Sequence, residues 1–279
     1  MRCVILSACP VSPELKRLLR PDDFIIACDA GYRNCAPLGC KPNIILGDFD
    51  TAPCPVQQND DIIVLPHVKD DTDTEYAARL ASEKGFTEVL LLGALGGRRI
   101  EHTLSNLATG LGLEERGVRA TLQDERSRIT FVCSGETRAY PKEEFFYFSA
   151  FPMEGRAEGV CEHGSYYELT DDVLVAGYPL GVSNEYAEGS DCITISTRKG
   201  ALVIVETVPD TPILTGNKAC AGCSASKKDK KNTGAGSCSG IFCGTSFFCG
   251  IGQIQHRAKG VKDEVLDAGC DQQALLLGK

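Results

Sequence analysis

Asn43-Ile44-Ile45-Leu46-Gly47-Asp48-Phe49-Asp50-Thr51 joins an apolar run to two carboxylates with one residue between them. Three large aliphatic residues in a row suit a strand covered on both faces, as in a sheet under two layers of helices. The charges that close the run raise a second question, because an unpaired ionised side chain is costly to take out of water. Either Asp48 and Asp50 lie in solvent at the strand's end, or something positive sits between them.

Working outward, the first 133 residues repeat this rhythm of apolar run and helical pattern, as parallel strands with crossover helices do. Strands are expected at Cys3–Ser7, Phe24–Cys28, Ile44–Leu46, Ile62–Leu65, Val89–Leu92, Ala120–Leu122 and Ile129–Val132. Helices are expected at Pro13–Arg20, Tyr32–Leu38, Thr74–Lys84 and Thr103–Arg116. In the third, Tyr76, Ala77, Leu80 and Ala81 share a face and Gly85 follows as a stop. Residues 1–133 therefore read as an open, doubly wound, mainly parallel α/β sheet. From 134 to 210 short apolar runs (Phe145–Phe148, Tyr166–Leu169, Asp191–Thr197, Ala201–Glu206) alternate with glycines and prolines, the pattern of a small antiparallel β-sandwich. Arg198-Lys199-Gly200 between the last two reads as a hairpin turn. Residues 211–279 carry Lys227-Lys228-Asp229-Lys230-Lys231, many Gly and Ser, and six of the fifteen cysteines, and are expected to be a disordered tail. Cys220 and Cys223 have metal-knuckle spacing, but a structural zinc site wants two such pairs.

The 279 residues carry a net charge of −9 with no basic stripe, which speaks against nucleic-acid binding. No apolar run is long enough to span a membrane, and the start of the chain lacks a signal-peptide pattern, so a cytoplasmic protein is expected. The nine cysteines from Cys3 to Cys192 then read as reduced thiols, several of them small buried hydrophobes.

The acidic residues fall where ligands bind in open α/β sheets, at the carboxyl ends of strands. Asp29 follows the second strand, Asp48 and Asp50 the third, and Asp70 and Asp73 the fourth. Singly, each reads as a solvated loop residue or a helix cap, and Asp73 stands where it would cap the following helix. Gathered in one crevice they repel, so protons or a cation must offset them, and of cations Mg²⁺ suits an all-oxygen set holding a phosphate chain. Phosphate donors follow the fifth strand in Gly93-Ala94-Leu95-Gly96-Gly97-Arg98-Arg99, leading into a helix with His102 and Asn106. Glycines admit phosphates to backbone N–H groups and arginines add bidentate charge. No GxxxxGK[ST] is present, so this is not a Walker-type loop.

The ordered motifs CDAGY, GDFD, KDDTDTEYA and GGRRIEHTLSN, with Gly181-Val182-Ser183-Asn184-Glu185 in the second half, resemble the thiamine pyrophosphokinase (thiamine diphosphokinase) family over about Met1 to Asp210. The resemblance implies an α/β ATP-binding domain, a thiamine-binding β-sandwich, and a homodimer with active sites between subunits. It implies transfer of pyrophosphate from ATP to the thiamine hydroxyl, giving thiamine diphosphate and AMP. Carried onto this chain, the metal and catalytic site falls on Asp48, Asp50, Asp70 and Asp73, and the nucleotide turn on Asp29 and Gly31. The phosphate loop falls on Gly96, Gly97, Arg98 and Arg99, with His102 and Asn106 behind it, and thiamine contacts fall on Ser183 and Asn184. Glu101 stands where the family carries aspartate, after one extra residue, which leaves open which of Arg98 and Arg99 faces the ligand. Two other readings are a pyrophosphokinase for a different alcohol, such as a pterin, and a non-catalytic nucleotide sensor with a cysteine-rich tail.

Overall fold

The computed structural model describes residues 1–50, 52–54, 61–67 and 70–209; the expectations for residues 211–279, Cys220 and Cys223 included, lie outside them. The first half runs β1 (Arg2–Leu6), a 3₁₀ turn (Pro13–Leu18), β2 (Phe24–Cys28), a second 3₁₀ turn (Asp29–Asn34), α1 (Cys35–Leu38), β3 (Ile44–Gly47), β4 (Asp61–Val64), α2 (Asp73–Glu83), β5 (Glu88–Leu92), α3 (Ile100–Glu115), β6 (Arg119–Gln123) and β7 (Ser127–Val132). All seven expected strands form. The first two expected helices are shorter: Pro13–Arg20 is a 3₁₀ turn ending at Leu18, and only Cys35–Leu38 of the second is α-helical, stopped by Gly39 at φ +64°.

β1 lies between β2 and β5, and every pairing from β6 through β5, β1, β2 and β3 to β4 is parallel. Alternation along the strands builds two cores. Cys3, Ile5, Ile26, Cys28, Ile44 and Leu46 face Ala77 and Ala81 of α2 and Leu113 of α3. Val4, Leu6, Ile25, Ala27 and Ile45 face Leu15 of the first 3₁₀ turn and Leu38 of α1. This is the doubly wound sheet expected, and its buried strands account for the unbroken apolar runs.

The second half continues with β8 (Thr137–Pro141), β9 (Tyr147–Pro152), β10 (Arg156–His163), β11 (Leu169–Val175), β12 (Asn184–Glu185), β13 (Cys192–Ser196) and β14 (Leu202–Thr207). Four strands of the ten-stranded sheet, in the order β12-β9-β14-β7, extend it antiparallel beyond β6, while β11-β10-β13-β8 form a second sheet. The shared strands bury both faces. In β7, Ile129 and Phe131 join the α/β core, while Val132 joins Tyr140, Phe148, Val160, Ile193, Ile195, Leu202 and Ile204 in the sandwich core.

Arg198-Lys199-Gly200 is not a hairpin. It carries the chain from β13 in the small sheet to β14 in the large one, so Ile193 and Ile195 pack against Leu202 and Ile204 across the sandwich instead of pairing beside them. A strand is also displaced: Tyr166 and Tyr167 are exposed and β11 begins only at Leu169.

Candidate active site

β1 is the strand where the chain's direction of winding reverses, with β2, β3 and β4 on one side and β5 and β6 on the other. Open α/β sheets bind ligands at the carboxyl ends of strands at such a switch point. Two loops meet there. Ser7 N donates to Leu92 O at 2.8 Å and Cys9 N to Gly93 O at 3.0 Å, prolonging the β1–β5 pairing past the sheet. Buried Asn34 fixes the first loop: its Nδ2 donates to Ser7 O and Cys9 O at 2.9 Å each, and its Oδ1 accepts from Val11 N at 3.3 Å.

The second loop is the glycine-rich segment after β5. Gly93 sits at φ +66°, and a Cβ there would lie 2.5 Å from Cys9 O, so the loops approach this closely only because the side chain is missing. Gly96 (φ +73°) faces open space, whereas a Cβ on Gly97 (φ +81°) would meet Cys9 Sγ at 2.7 Å. Asn106, buried on α3, donates to Ala94 O at 2.7 Å and so holds the loop from behind. Arg98, Arg99 and His102 are exposed at the start of α3. Arg99 Nε pairs with Glu101 Oε1 at 2.7 Å. Between the loops lies a cavity of about 220 Å³, lined by Cys9 and Val11 on one side and Gly93 and Gly97 on the other, with Asp124 and Glu125 also on its wall.

The carboxylates follow β2 and β3, on the opposite side of β1 from the glycine-rich loop. Gly31 lets the turn after β2 press onto the end of β1, since a Cβ would lie 2.0 Å from Leu6 O. In that turn Asp29 adopts φ +46° and is buried, and its Oδ1 has no hydrogen-bond partner among the described residues. A left-handed aspartate with an unsatisfied buried oxygen is a strained, desolvated arrangement of the sort that collects at ligand sites. Asp48 and Asp50 leave β3 on the other side of β2; Asp50 N donates to Asp48 Oδ1 at 3.4 Å.

Helix α2 is capped by Thr72, whose hydroxyl accepts from Glu75 N at 3.1 Å, so the cap expected of Asp73 falls one residue earlier. Asp73 is instead the first helical residue, next to Cys28: Cys28 Sγ donates to Asp73 O at 3.6 Å. Burial, then the charges of Asp73, Cys3 and Asp29, push the Cys28 thiol well above its usual range, so it stays protonated between the carboxylates. Asp70 is exposed, and Asp71 pairs with Arg79.

Sequence reasoning passed over His67. It follows β4 as Asp48 follows β3, and its Nδ1 lies 3.4 Å from Asp48 Oδ2. One donor atom each from Asp48, Asp50 and His67 fall within 4.8 Å of one another. Asp70 and Asp73 are not members of that cluster. The signal was present in the position of His67 at a fourth strand end. Asn34 gave none, because it acts only on backbone that folding brings near.

Ser183 and Asn184 lie elsewhere, on the far edge of the large sheet. Ser183 is exposed at φ +56°, its N–H donating to Ser149 Oγ at 3.0 Å. The Asn184 side chain is engaged within the fold. Its Nδ2 donates to Glu162 Oε1 at 2.5 Å and Tyr167 O at 2.8 Å, and its Oδ1 accepts from Tyr167 N and Glu185 N, both at 3.0 Å.

Residues 15–122 match the model of the thiamin pyrophosphokinase catalytic domain, and residues 138–202 match that of the thiamin pyrophosphokinase vitamin B1 binding domain. Solved structures share the fold. The thiamine pyrophosphokinase of Bacillus subtilis is 22% identical with a TM-score of 0.66, covering 75% of this chain and 99% of that one. That of Geobacillus thermodenitrificans is 24% identical with a TM-score of 0.67 (76% and 99%), and that of Candida albicans 13% with 0.63 (75% and 89%). No match was found among the curated proteins. With both of its domain models matched in order, the chain belongs to the thiamin pyrophosphokinase family.

Proposed function

We propose that the protein is a thiamine diphosphokinase, moving the pyrophosphoryl group of ATP to the hydroxyl of thiamine to give thiamine diphosphate and AMP. The observation that carries this is the pairing of carboxylates after β2 and β3 and a glycine-rich loop after β5, all at the carboxyl edge of one parallel sheet, with a matched vitamin B1 binding domain. That domain favours thiamine over a pterin as the acceptor.

The chain's own groups divide the work. Gly96 leaves backbone open for a phosphate chain, Gly97 lets the loop close onto Cys9, and Arg98 stands beside them as a guanidinium donor, whereas Arg99 is held by Glu101. Asn106 and Asn34 keep the two loops in place, and His102 lies at the loop's end on α3. Asp29 presents a desolvated oxygen at the nucleotide turn, where Gly31 allows the close approach.

The hard carboxylate oxygens of Asp48 and Asp50, with Asp70 on the next loop and Asp73 at the start of α2, fit a divalent cation, Mg²⁺ in this reading. When bound, the cation supplies charge neutralisation on the phosphate oxygens. The thiamine oxygen bonds to the β-phosphorus as the bond from that phosphorus to the α,β-bridging oxygen breaks, and AMP leaves with that oxygen. Asp73 takes the hydroxyl proton.

A second copy of the chain completes the site. Eight strand steps separate β12, beside Ser183, from β3, beside Asp48. At about 4.8 Å per step this is about 38 Å, too far for one thiamine molecule to touch both. Exposed Tyr166, Tyr167, Tyr178, Leu180 and Val182 around Ser183 support a homodimer in which this edge meets the partner's carboxylates. In that arrangement Ser183 contacts thiamine, and Asn184 shapes the loop that presents it. A cytoplasmic location belongs to the same proposal, supported by nine described cysteines that form no disulfide with one another.

Incubation with ATP, Mg²⁺ and thiamine tests the reading: AMP and thiamine diphosphate should appear in equal amounts. AMP formed only with another alcohol would replace thiamine as the substrate, and no AMP with any alcohol would leave a nucleotide-binding protein.

A further inference from the structure

β3 and β4 pair in parallel with Gly47 opposite Val64, and Leu65 N donates to Gly47 O at 2.9 Å. The two chains therefore leave the sheet side by side, and the next residues along each meet: Asp48 and Asp50 from one, His67 from the other. Donor atoms within 4.8 Å of one another suit a shared ion, since two ligands about 2.1 Å from a metal at right angles lie about 3 Å apart. The His67 side chain is 76% exposed and that of Asp48 13%, so an imidazole open to solvent stands 3.4 Å from a carboxylate that is mostly out of water. Asp29, whose buried Oδ1 has no partner among the described residues, lies against the same strand end; a Cβ on Gly47 would be 3.2 Å from Asp29 Cβ.

The imidazole changes what the cluster prefers. Carboxylates alone suit Mg²⁺, whereas a neutral nitrogen donor adds little for Mg²⁺ and more for first-row transition ions.

We propose that Asp48, Asp50 and His67 form a mixed nitrogen–oxygen site that binds a divalent transition ion, such as Mn²⁺ or Co²⁺, more tightly than Mg²⁺ before any nucleotide arrives. The proposal rests on the reading of Asp48 and Asp50 as metal ligands and adds His67 as the residue that sets the metal preference.

The test is a titration of the full-length protein with Mn²⁺, followed by electron paramagnetic resonance without ATP or thiamine, with Mg²⁺ as competitor. Mn²⁺ should bind at least about tenfold more tightly than Mg²⁺, and His67→Ala should lose about tenfold or more in Mn²⁺ affinity while Mg²⁺ affinity stays within about twofold. Because His67 is exposed, the variant should melt with the wild type, which a thermal scan confirms. Unchanged Mn²⁺ affinity in His67→Ala, or equal affinities for the two metals in the wild type, overturns the proposal. If Asp48→Asn then abolishes Mn²⁺ binding, the carboxylate site stands without His67. If neither variant matters, both readings fall.

Discussion

The side-chain amide of Asn184 donates to Glu162 Oε1 at 2.5 Å, and both residues are buried. Asn184→Leu would strip a partner from Glu162 and from the Tyr167 backbone, and should destabilise the fold by about 2–4 kcal/mol in chemical denaturation. The carboxyl of Glu162 is raised above its ordinary 4.5 by burial, against the lowering effect of hydrogen bonds from Ser165 and Asn184. A raised folded-state value means the protonated form favours the fold, so this contribution is full below about pH 4.5 and is lost as pH rises through the folded value. Glu162→Gln cannot ionise and keeps an acceptor for Asn184. It should be more stable than wild type at pH 8, with the gap closing toward pH 4; a pH-independent difference would contradict the account.

Two glycines of the nucleotide crevice should respond differently to a methyl group. Gly31→Ala places a Cβ 2.0 Å from Leu6 O, which is backbone and cannot yield. A loss of about 3 kcal/mol or more is expected, or failure to fold. Gly96→Ala meets nothing within 4 Å and carries only the strain of φ +73°, about 1 kcal/mol. Its effect should fall on the KM for ATP, read by steady-state kinetics, while thermal stability shifts little.

Asp48→Asn and Asp50→Asn should each lower kcat by about 10²–10³-fold, through loss of a carboxylate that holds the cation, as read by steady-state kinetics. Asp73→Asn should lower kcat by about 10²-fold through loss of the proton acceptor. Near-normal turnover in Asp73→Asn beside inactive Asp48→Asn would reject Asp73 as the base and leave the metal assignment intact.

If Ser183 works with carboxylates about 38 Å away in its own chain, it must work with those of a partner. Ser183→Trp and Asp48→Asn should each be inactive alone. Refolded together in equal amounts, half of the dimers pair the two variants and hold one intact site each. About a quarter of wild-type activity should return. No recovery from a verified mixed dimer would mean that each chain carries a self-contained site.

The parallel half of the fold was legible because strands buried on both faces are written as unbroken apolar runs, and Asp29, Asp48, Asp50, Asp70 and Asp73 each follow one. The antiparallel half was legible only in kind. Arg198-Lys199-Gly200 has the composition of a hairpin turn, but composition cannot tell a turn within one sheet from an arch between two; the partners of β13 and β14 decide that, and they lie far away in sequence. Likewise β7 shows alternation, with no sign that its second face meets another sheet. Asn34 and Asn184 were invisible as scaffolding, since they satisfy backbone groups brought to them by folding. His67 is readable from its place after β4, an imidazole at a strand end like those that carry the carboxylates.

The central claim is a single displacement at the β-phosphorus of ATP with AMP as the leaving group. ATP labelled at the β-phosphate tests it directly when incubated with the protein, a divalent cation and thiamine. The account predicts that the label passes entirely into thiamine diphosphate, with unlabelled AMP formed in equal amount. Labelled ADP accompanied by thiamine monophosphate would contradict it.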